Sequence, residues 1–450
     1  MTPARRELLD LIVTPDAYNQ PPQRLQPLRL EAARELFSER REQIPVLGRR
    51  AQESGVREIR DFSDLVPLLF SHTVYKSYPA AFLEQGRWDK LLQWLKTLSV
   101  RDPTGVDMTG VADVDDWIQR LRAAGHRVLA TSGSSGKCSF LNATAEDYEL
   151  KLRHFANTLG WPWLKPRGDR VVFNLGPSTG PNSAIEAGQI GAQVWGKPGA
   201  RYFLTDEPLR IADVNAMVVM RKRMAEGTAS PQEIAAFQER AAQKAQRMQQ
   251  ALDQLVDKIL EHRREPIALT GLWAQHMAIL RRARELGVGD GEFHPQSHIS
   301  AGGGVKGVSL PPDYKEQVDR FYRGTIRGTG YGMTEMSQVM PRCEKQRYHC
   351  PPALIVLLLD QPGEKLIAPE HGAGGIIEGR FAFLDLLYEG RWGGLISGDK
   401  ISMDFGERCP CGRNGPTILD TIVRYSQGGE DDYIGCAGTI DAYVRGAMQE

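Results

Sequence analysis

The chain has 450 residues, 41% hydrophobic and 25% charged, with 56 basic side chains balancing 56 acidic ones. That length suits two or three subdomains rather than one small core, and the balanced charge argues against nucleic acid or an anionic membrane surface as the main partner. No apolar run approaches a membrane span, and the start, MTPARRELLDLIVTPDAYNQPPQ, lacks the apolar stretch and small-residue site of a secretory leader, so a cytoplasmic location is the default expectation.

In chain order, residues 1–128 read as helical, with apolar spacing in LRLEAARELFSERREQIPVL and WDKLLQWLKTL. Residues 129–204 alternate strand and helix. RVLA, RVVFNL and AQVWG read as strands, and ATAEDYELKLRHFANTL as a helix. Residues 205–285 are dominated by charged helix, where Ser230, Pro231 and Glu233 have the spacing of a capping box with proline at the first helical position. From QSHISAGGG onward short strands and glycine turns return, and ALIVLLLD and GGIIEG read as buried strands of a mixed sheet. The expected class is α/β.

The stretch LATSGSSGKCSF places Thr131, Ser132, Gly133, Ser134, Ser135, Gly136 and Lys137 between a strand and a helix. Glycines let the backbone approach a ligand, successive N–H groups form an anion nest, and the hydroxyls and the lysine add donors and charge. The ligand this suggests is a polyphosphate. The loop is not a Walker A sequence, because Thr131 stands where that motif needs glycine and Cys138 where it needs a hydroxyl.

Three further sites carry chemistry. Gly302, Gly303 and Gly304 end an expected strand, where a flat ring lying on bare backbone would require them, as would a β-bulge or tight turn. In GTGYGMTEMSQ, Tyr331 offers an aromatic face, Gly332 and Met333 follow it, Thr334 offers a hydroxyl, and Glu335 offers a hard oxygen for Mg²⁺. In LISGDKISM, Asp399 follows a glycine at an expected strand end, where one carboxylate can accept from both hydroxyls of a ribose.

Six cysteines in a chain expected in the cytosol read as metal ligands or reactive thiols before disulfides. Cys409 and Cys411 lie one residue apart in CPCGRNGP, and Cys343 and His349 can converge on them from another hairpin, a Cys₃His set suited to structural zinc. Cys350 is the alternative to His349, and buried reduced cysteines are the alternative to a metal. Cys138 follows Lys137, whose charge would favour its thiolate.

The order of these elements (TSGSSGK loop, glycine strand end, YGMTE, then GD) resembles the adenylate-forming superfamily of acyl-CoA synthetases, peptide-synthetase adenylation domains and luciferase, over about residues 100–424. CPCGRNGP, with the cysteine–histidine stretch before it, is similar to the phenylacetate-CoA ligase-like branch, which raises the zinc reading. GGGVKG with YHCPP is similar to bioluminescence acyl-protein synthetases. The resemblance implies the superfamily's large domain, of mixed sheets with flanking helices and a small β subdomain, and a reaction in which ATP activates a carboxylic acid as acyl-AMP. It implies that residues 131–137 hold the β- and γ-phosphates, Gly302–Gly304 line the adenine, and Tyr331 stacks on it. Thr334 would contact the α-phosphate, Glu335 would hold Mg²⁺, and Asp399 would hold the ribose with Arg424. Lys137, Thr334 and Glu335 would be the catalytic set, and ATP, Mg²⁺ and structural Zn²⁺ the cofactors.

The resemblance also divides the chain into a helical region 1–128, a core 129–424 with a charged insertion 205–265, and a short tail 425–450 where relatives carry a small mobile domain. The acceptor would then meet an open site, or a second copy or partner protein would supply the missing surface. FNLGPSTGPNSAIEAGQIGAQVWG falls where relatives place the acyl pocket, and Gly176, Ser178, Gly180, Gly188 and Trp273 suit an aryl acid of aminobenzoate or hydroxybenzoate type. A small amine, hydroxyl or thiol would accept the acyl group in a specialised pathway. Rival readings are an aryl-CoA ligase, an acyl-protein synthetase with the acyl group carried on a late cysteine such as Cys436, and a non-catalytic nucleotide-binding scaffold braced by zinc.

Overall fold

The computed structural model describes residues 1–131, 137–303, 308–367, 375–427, 432 and 434. Ser132, Gly133, Ser134, Ser135, Gly136, Gly304 and Cys436 lie outside them. The chain forms two compact units, one of 1–154 with 330–450 and one of 155–329.

The second unit is an α/β layer. Its described strands form a parallel sheet in the order Gly196–Thr205, Arg170–Pro177, Ile267–Leu272, His298–Gly302, Ile326–Arg327. The central strands are apolar on both faces, as parallel strands covered by helices must be. Phe173, Leu269 and Ile299 pack against Ile259 and Ile279 from the helices Pro231–Glu261 and Trp273–Glu285. Val172 and Ala268 meet Ala192 and Trp195 of the helix Ser183–Trp195.

AQVWG is therefore not a strand but the last turn of a helix, and the strand begins at its final glycine. The Asn182 side chain accepts from the Ala184 N–H, and the run SAIEAGQIGAQVW presents one apolar face at helical spacing, so local capping and periodicity outweigh the β propensity of Val and Trp. The charged segment 205–285 is two helices before the next strand, Ile211–Ala225 and Pro231–Glu261. Ser230 and Glu233 form a reciprocal capping box, and Glu233 also pairs with Arg223 at 2.8 Å.

In the first unit the strand Gly394–Asp404 is the hub. It pairs antiparallel with Ile376–Asp385, Thr417–Leu419 and Val423–Arg424, and parallel with Phe70–Ser71. Leu354–Leu359 and Arg347–His349 extend the sheet at its two sides. Helices of the N-terminal region brace it. Arg5, fully buried, donates to the carbonyls of Leu386 and Tyr388 and pairs with Glu389 at 2.8 Å, and Phe37 meets Trp392 edge-on. Asp399 lies within this strand and not at the strand end expected of it. Gly398 serves close approach there: a Cβ on it would lie 2.9 Å from a carboxylate oxygen of Asp432. Among the described residues no helix is long and apolar enough to cross a membrane.

Candidate functional site

In the first unit, the hub strand and its neighbours bring Asp399, Tyr331, Arg424 and Glu335 together. Asp399 is 8% exposed. The Tyr331 hydroxyl donates to its Oδ2 at 2.6 Å, and Arg424, its register partner on the adjacent strand, reaches Oδ1 at 3.4 Å. The short pairing of Gly330–Tyr331 with Met340–Pro341 and an edge contact with Phe381 at 5.2 Å fix the tyrosine ring. Burial and the neighbouring Asp399 carboxylate push the phenol pKa well up, so Tyr331 stays a donor.

Thr334 and Glu335 sit on a turn closed by the Met336 N–H donating to the Met333 carbonyl, and Gly332 is exposed just before it. The next two residues anchor the turn, because Ser337 and Gln338 both donate to buried Asp385. Arg391 donates to the Glu335 main-chain carbonyl at 3.1 Å and to the Asn142 carbonyl at 3.0 Å. Burial raises the Glu335 carboxyl above the ordinary range, Arg391 and Arg424 pull it back, and Asp399 adds to the rise. A divalent cation would relieve that strain, so the chemistry of this carboxylate fits Mg²⁺.

The described ends of the Ser/Gly loop are tied down. The Thr131 N–H donates to the Ser139 carbonyl at 3.1 Å, and the Thr131 hydroxyl accepts from the Ser139 N–H at 2.9 Å. Lys137 donates to the Tyr78 carbonyl, with its ammonium 4.2 Å from that ring centre. Cys138 differs from expectation: it is fully buried, and burial pushes its thiol up to about 11, so the adjacent lysine does not activate it.

Residues with no motif around them join this neighbourhood. Half-buried Lys76 feels the charges of Glu335, Arg424 and Asp432. His72 lies 3.9 Å from Asp432, which in turn meets buried Arg380 at 2.8 Å. Only the three-dimensional pairing of Phe70–Ser71 with the hub strand reveals Lys76 and His72 as neighbours of the site.

In the second unit, Gly302 ends its strand with open space where a Cβ would be, while a Cβ on Gly303, at φ 76°, would lie 2.6 Å from Leu272. Gly176 accommodates Asn174, whose Oδ1 accepts from the Gly176 N–H at 2.9 Å. The room expected above Gly180 and Gly188 is filled. Ile185 and Leu209 crowd the first, and the Asn174 side chain occupies the second, so these glycines serve helix–strand packing. The Ser178 carbonyl accepts from Gln189 at 2.7 Å, and Trp273 meets Tyr314 edge-on at 5.5 Å against the unit's core.

A separate cluster in the first unit brings the ligating atoms of Cys343, His349, Cys409 and Cys411 within 4.8 Å of one another. Two tight turns present them. The Cys343 N–H donates to the Arg347 carbonyl at 2.8 Å, with Gln346 at φ 60°, and the Cys409 N–H donates to the Arg413 carbonyl at 2.8 Å, with Gly412 at φ 88°. Arg413 pairs with Glu344 at 3.0 Å and joins the two turns. A tetrahedral zinc with sulfur at about 2.3 Å and nitrogen at about 2.05 Å requires S···S near about 3.8 Å and S···N near about 3.6 Å. Cys343 and Cys409 sulfurs are 3.9 Å apart, and the Cys411 sulfur is 3.5 Å from His349 Nε2. The donor set and spacing fit a closed four-coordinate zinc. Cys350 is outside the cluster.

No protein-family model matches the chain. No curated protein matches it either. Among solved structures it is similar to 2-hydroxyisobutyryl-CoA ligase. An open conformation in complex with 2-HIB-AMP and CoA aligns with a TM-score of 0.57 at 14% identity, covering 91% of this chain and 72% of that one. The thioesterification state gives 0.57, and the postadenylation state with 2-HIB-AMP gives 0.52, each at 14% identity over 91% of this chain and 70% of the other. The fold is that of adenylate-forming CoA ligases.

Proposed function

We propose that this chain activates a carboxylic acid with ATP, releasing pyrophosphate and forming an acyl-adenylate, and then passes the acyl group to a small nucleophile. The observation that carries the reading is the Tyr331–Asp399–Arg424 constellation beside Glu335, in a chain with the fold of a ligase that holds an acyl-AMP. Asp399 accepts from the ribose hydroxyls, with Arg424 beside it. Tyr331, fixed by Asp399 and Phe381, stacks on the base, and the glycines Gly302–Gly304 have the adenine-lining role that the resemblance implies. Residues 131–137 bind the leaving phosphates, and Thr334 donates to the α-phosphate. Glu335 would hold Mg²⁺, which would supply positive charge against the phosphates.

The substrate carboxylate attacks the α-phosphorus as the bond to the β-phosphate bridging oxygen breaks. A carboxylate is already ionised at neutral pH, so no general base is required and the residues work by positioning and charge. The Cys₃His cluster holds structural zinc, which joins two turns and has no open coordination position.

For the acid we propose an aryl carboxylate, of aminobenzoate or hydroxybenzoate type, with Trp273 and Tyr314 as the aromatic wall. For the acceptor, the CoA bound in the similar ligase favours a thiol over an amine or hydroxyl. The test is acid-dependent pyrophosphate release with purified protein, Mg-ATP and panels of aryl and aliphatic acids. Saturable turnover with long-chain fatty acids and none with benzoates would overturn the aryl assignment. Turnover with CoA omitted but an amine supplied would overturn the thiol.

A further inference from the structure

The first unit contains a cavity of about 430 Å³ that none of the nucleotide-site residues lines. Its wall includes Leu25, Phe62, Ile355, Leu357 and Met403, all apolar, and one charged residue, Arg29. Met403 stands four positions beyond Asp399 on the hub strand, about 13 Å along it. The volume falls within the range of small-molecule sites. Polar side chains, Gln20, Gln26, His349 and Asn414, also line it, and Arg29 is its one cation.

Arg29 is 6% exposed. Its Nε donates to the Pro352 carbonyl at 2.9 Å and its Nη2 to the Pro351 carbonyl at 2.8 Å. Nη1 has no acceptor among the described residues. Three other buried arginines of this unit are neutralised: Arg5 and Arg40 meet Glu389 at 2.8 and 2.7 Å, and Arg380 meets Asp432 at 2.8 Å. Arg29 meets no carboxylate among the described residues. A buried guanidinium without a counter-charge is costly, and two carbonyls only partly offset the loss of water. Burial accordingly pulls its pKa down to about 10. The missing partner is an anion, and much of the surrounding wall, Leu25, Ile355, Leu357 and Met403, is hydrocarbon.

We propose that this cavity is a second ligand site, for a medium-chain organic carboxylate whose head group pairs with Arg29 and whose tail lies against Leu25, Ile355, Leu357 and Met403. A carboxylate accepts a charge-assisted bond from Nη1, and the chain removes the apolar lining from water. The site is independent of the nucleotide residues and needs no ATP.

The experiment uses the full-length, metal-loaded protein without nucleotide, so its outcome does not depend on adenylation. Calorimetric titration with octanoate is expected to show one saturable site, and octanamide, equal in length but uncharged, to bind at least about tenfold more weakly. Arg29→Met is expected to cost octanoate at least about tenfold, and Arg29→Lys less. Because those variants alter contacts to Pro351 and Pro352, a diazirine-tagged octanoate on the wild-type protein locates the site independently. It is expected to label the segments 355–358 and 403–405. Absence of binding, equal affinity for octanoate and octanamide, or labelling confined to 176–188 would each overturn the proposal.

Discussion

Cys411→Ser exchanges one sulfur for oxygen and removes one of four ligands from the Cys₃His cluster. In the structure, the turns carrying Cys343 and Cys409 are joined by the Arg413–Glu344 pair, whose side chains are 26% and 39% exposed, and by pairing of Arg347–His349 with Thr417–Leu419. An ion pair that exposed contributes at most about 1 kcal/mol. Zinc present at about a thousandfold over its dissociation constant contributes about 4 kcal/mol to the state that holds it. The metal is therefore expected to dominate the local stability of these turns. Elemental analysis of dialysed protein should find one zinc per wild-type chain and far less in Cys411→Ser. Amide exchange over 342–349 and 408–413 should accelerate by roughly a hundredfold or more in the variant. Cys350→Ser, outside the cluster, should keep the zinc. Wild-type protein without zinc but with these amides fully protected, or equal metal loss in both variants, would refute the reasoning.

Lys76 lies among the charges of Glu335 and Arg424, so Lys76→Met should slow adenylation by about tenfold to a hundredfold with little change in thermal midpoint; an unchanged rate would remove Lys76 from the site. His276 is buried neutral between the Tyr322 hydroxyl and the Ser300 carbonyl, its pKa lowered to about 3 by burial and the Arg327 charge. The unfolded chain takes up that proton below about pH 6.5 and the folded chain does not until about pH 3, so this group lowers stability as pH falls through that window. Between pH 7 and pH 5 the loss is about 2 kcal/mol, and urea unfolding of His276→Gln should show a correspondingly flatter pH dependence than wild type. Ser230→Ala removes the acceptor for the Glu233 N–H and should cost the start of the Pro231–Glu261 helix about 1 kcal/mol, read as faster amide exchange over 231–236 with the cluster and the rate unaffected.

What could be read from the sequence was local or chemical. The Ser230 capping box and the convergence of the hairpin bearing Cys343 and His349 on Cys409 and Cys411 depend on short spacings, and the structure shows both. AQVWG misled because strand propensity is weak evidence when a capped helix is closing through the same residues. The Gly-Asp pair reads as a strand end in one dimension, but Gly398 lies in mid-strand where Asp432 approaches it. Gly180 and Gly188 look like spare room until the packing of Leu209 and Asn174 is visible. Lys76, His72 and Arg29 carry no motif at all. Their settings arise from partners far away in sequence, 323 and 322 positions for Arg29 and the carbonyls of Pro352 and Pro351, and such pairings leave no short-range signal.

The most direct test of the central claim is mass spectrometry of the product formed from Mg-ATP and a panel of acids, with no acceptor present, alongside pyrophosphate release. The account predicts an acid-dependent acyl-AMP in wild type, reduced by a hundredfold or more on the order seen for lost transition-state donors in Asp399→Ala and Glu335→Ala. ATP binding without acyl-AMP for any acid, or acyl-AMP formed equally well by both variants, would contradict it.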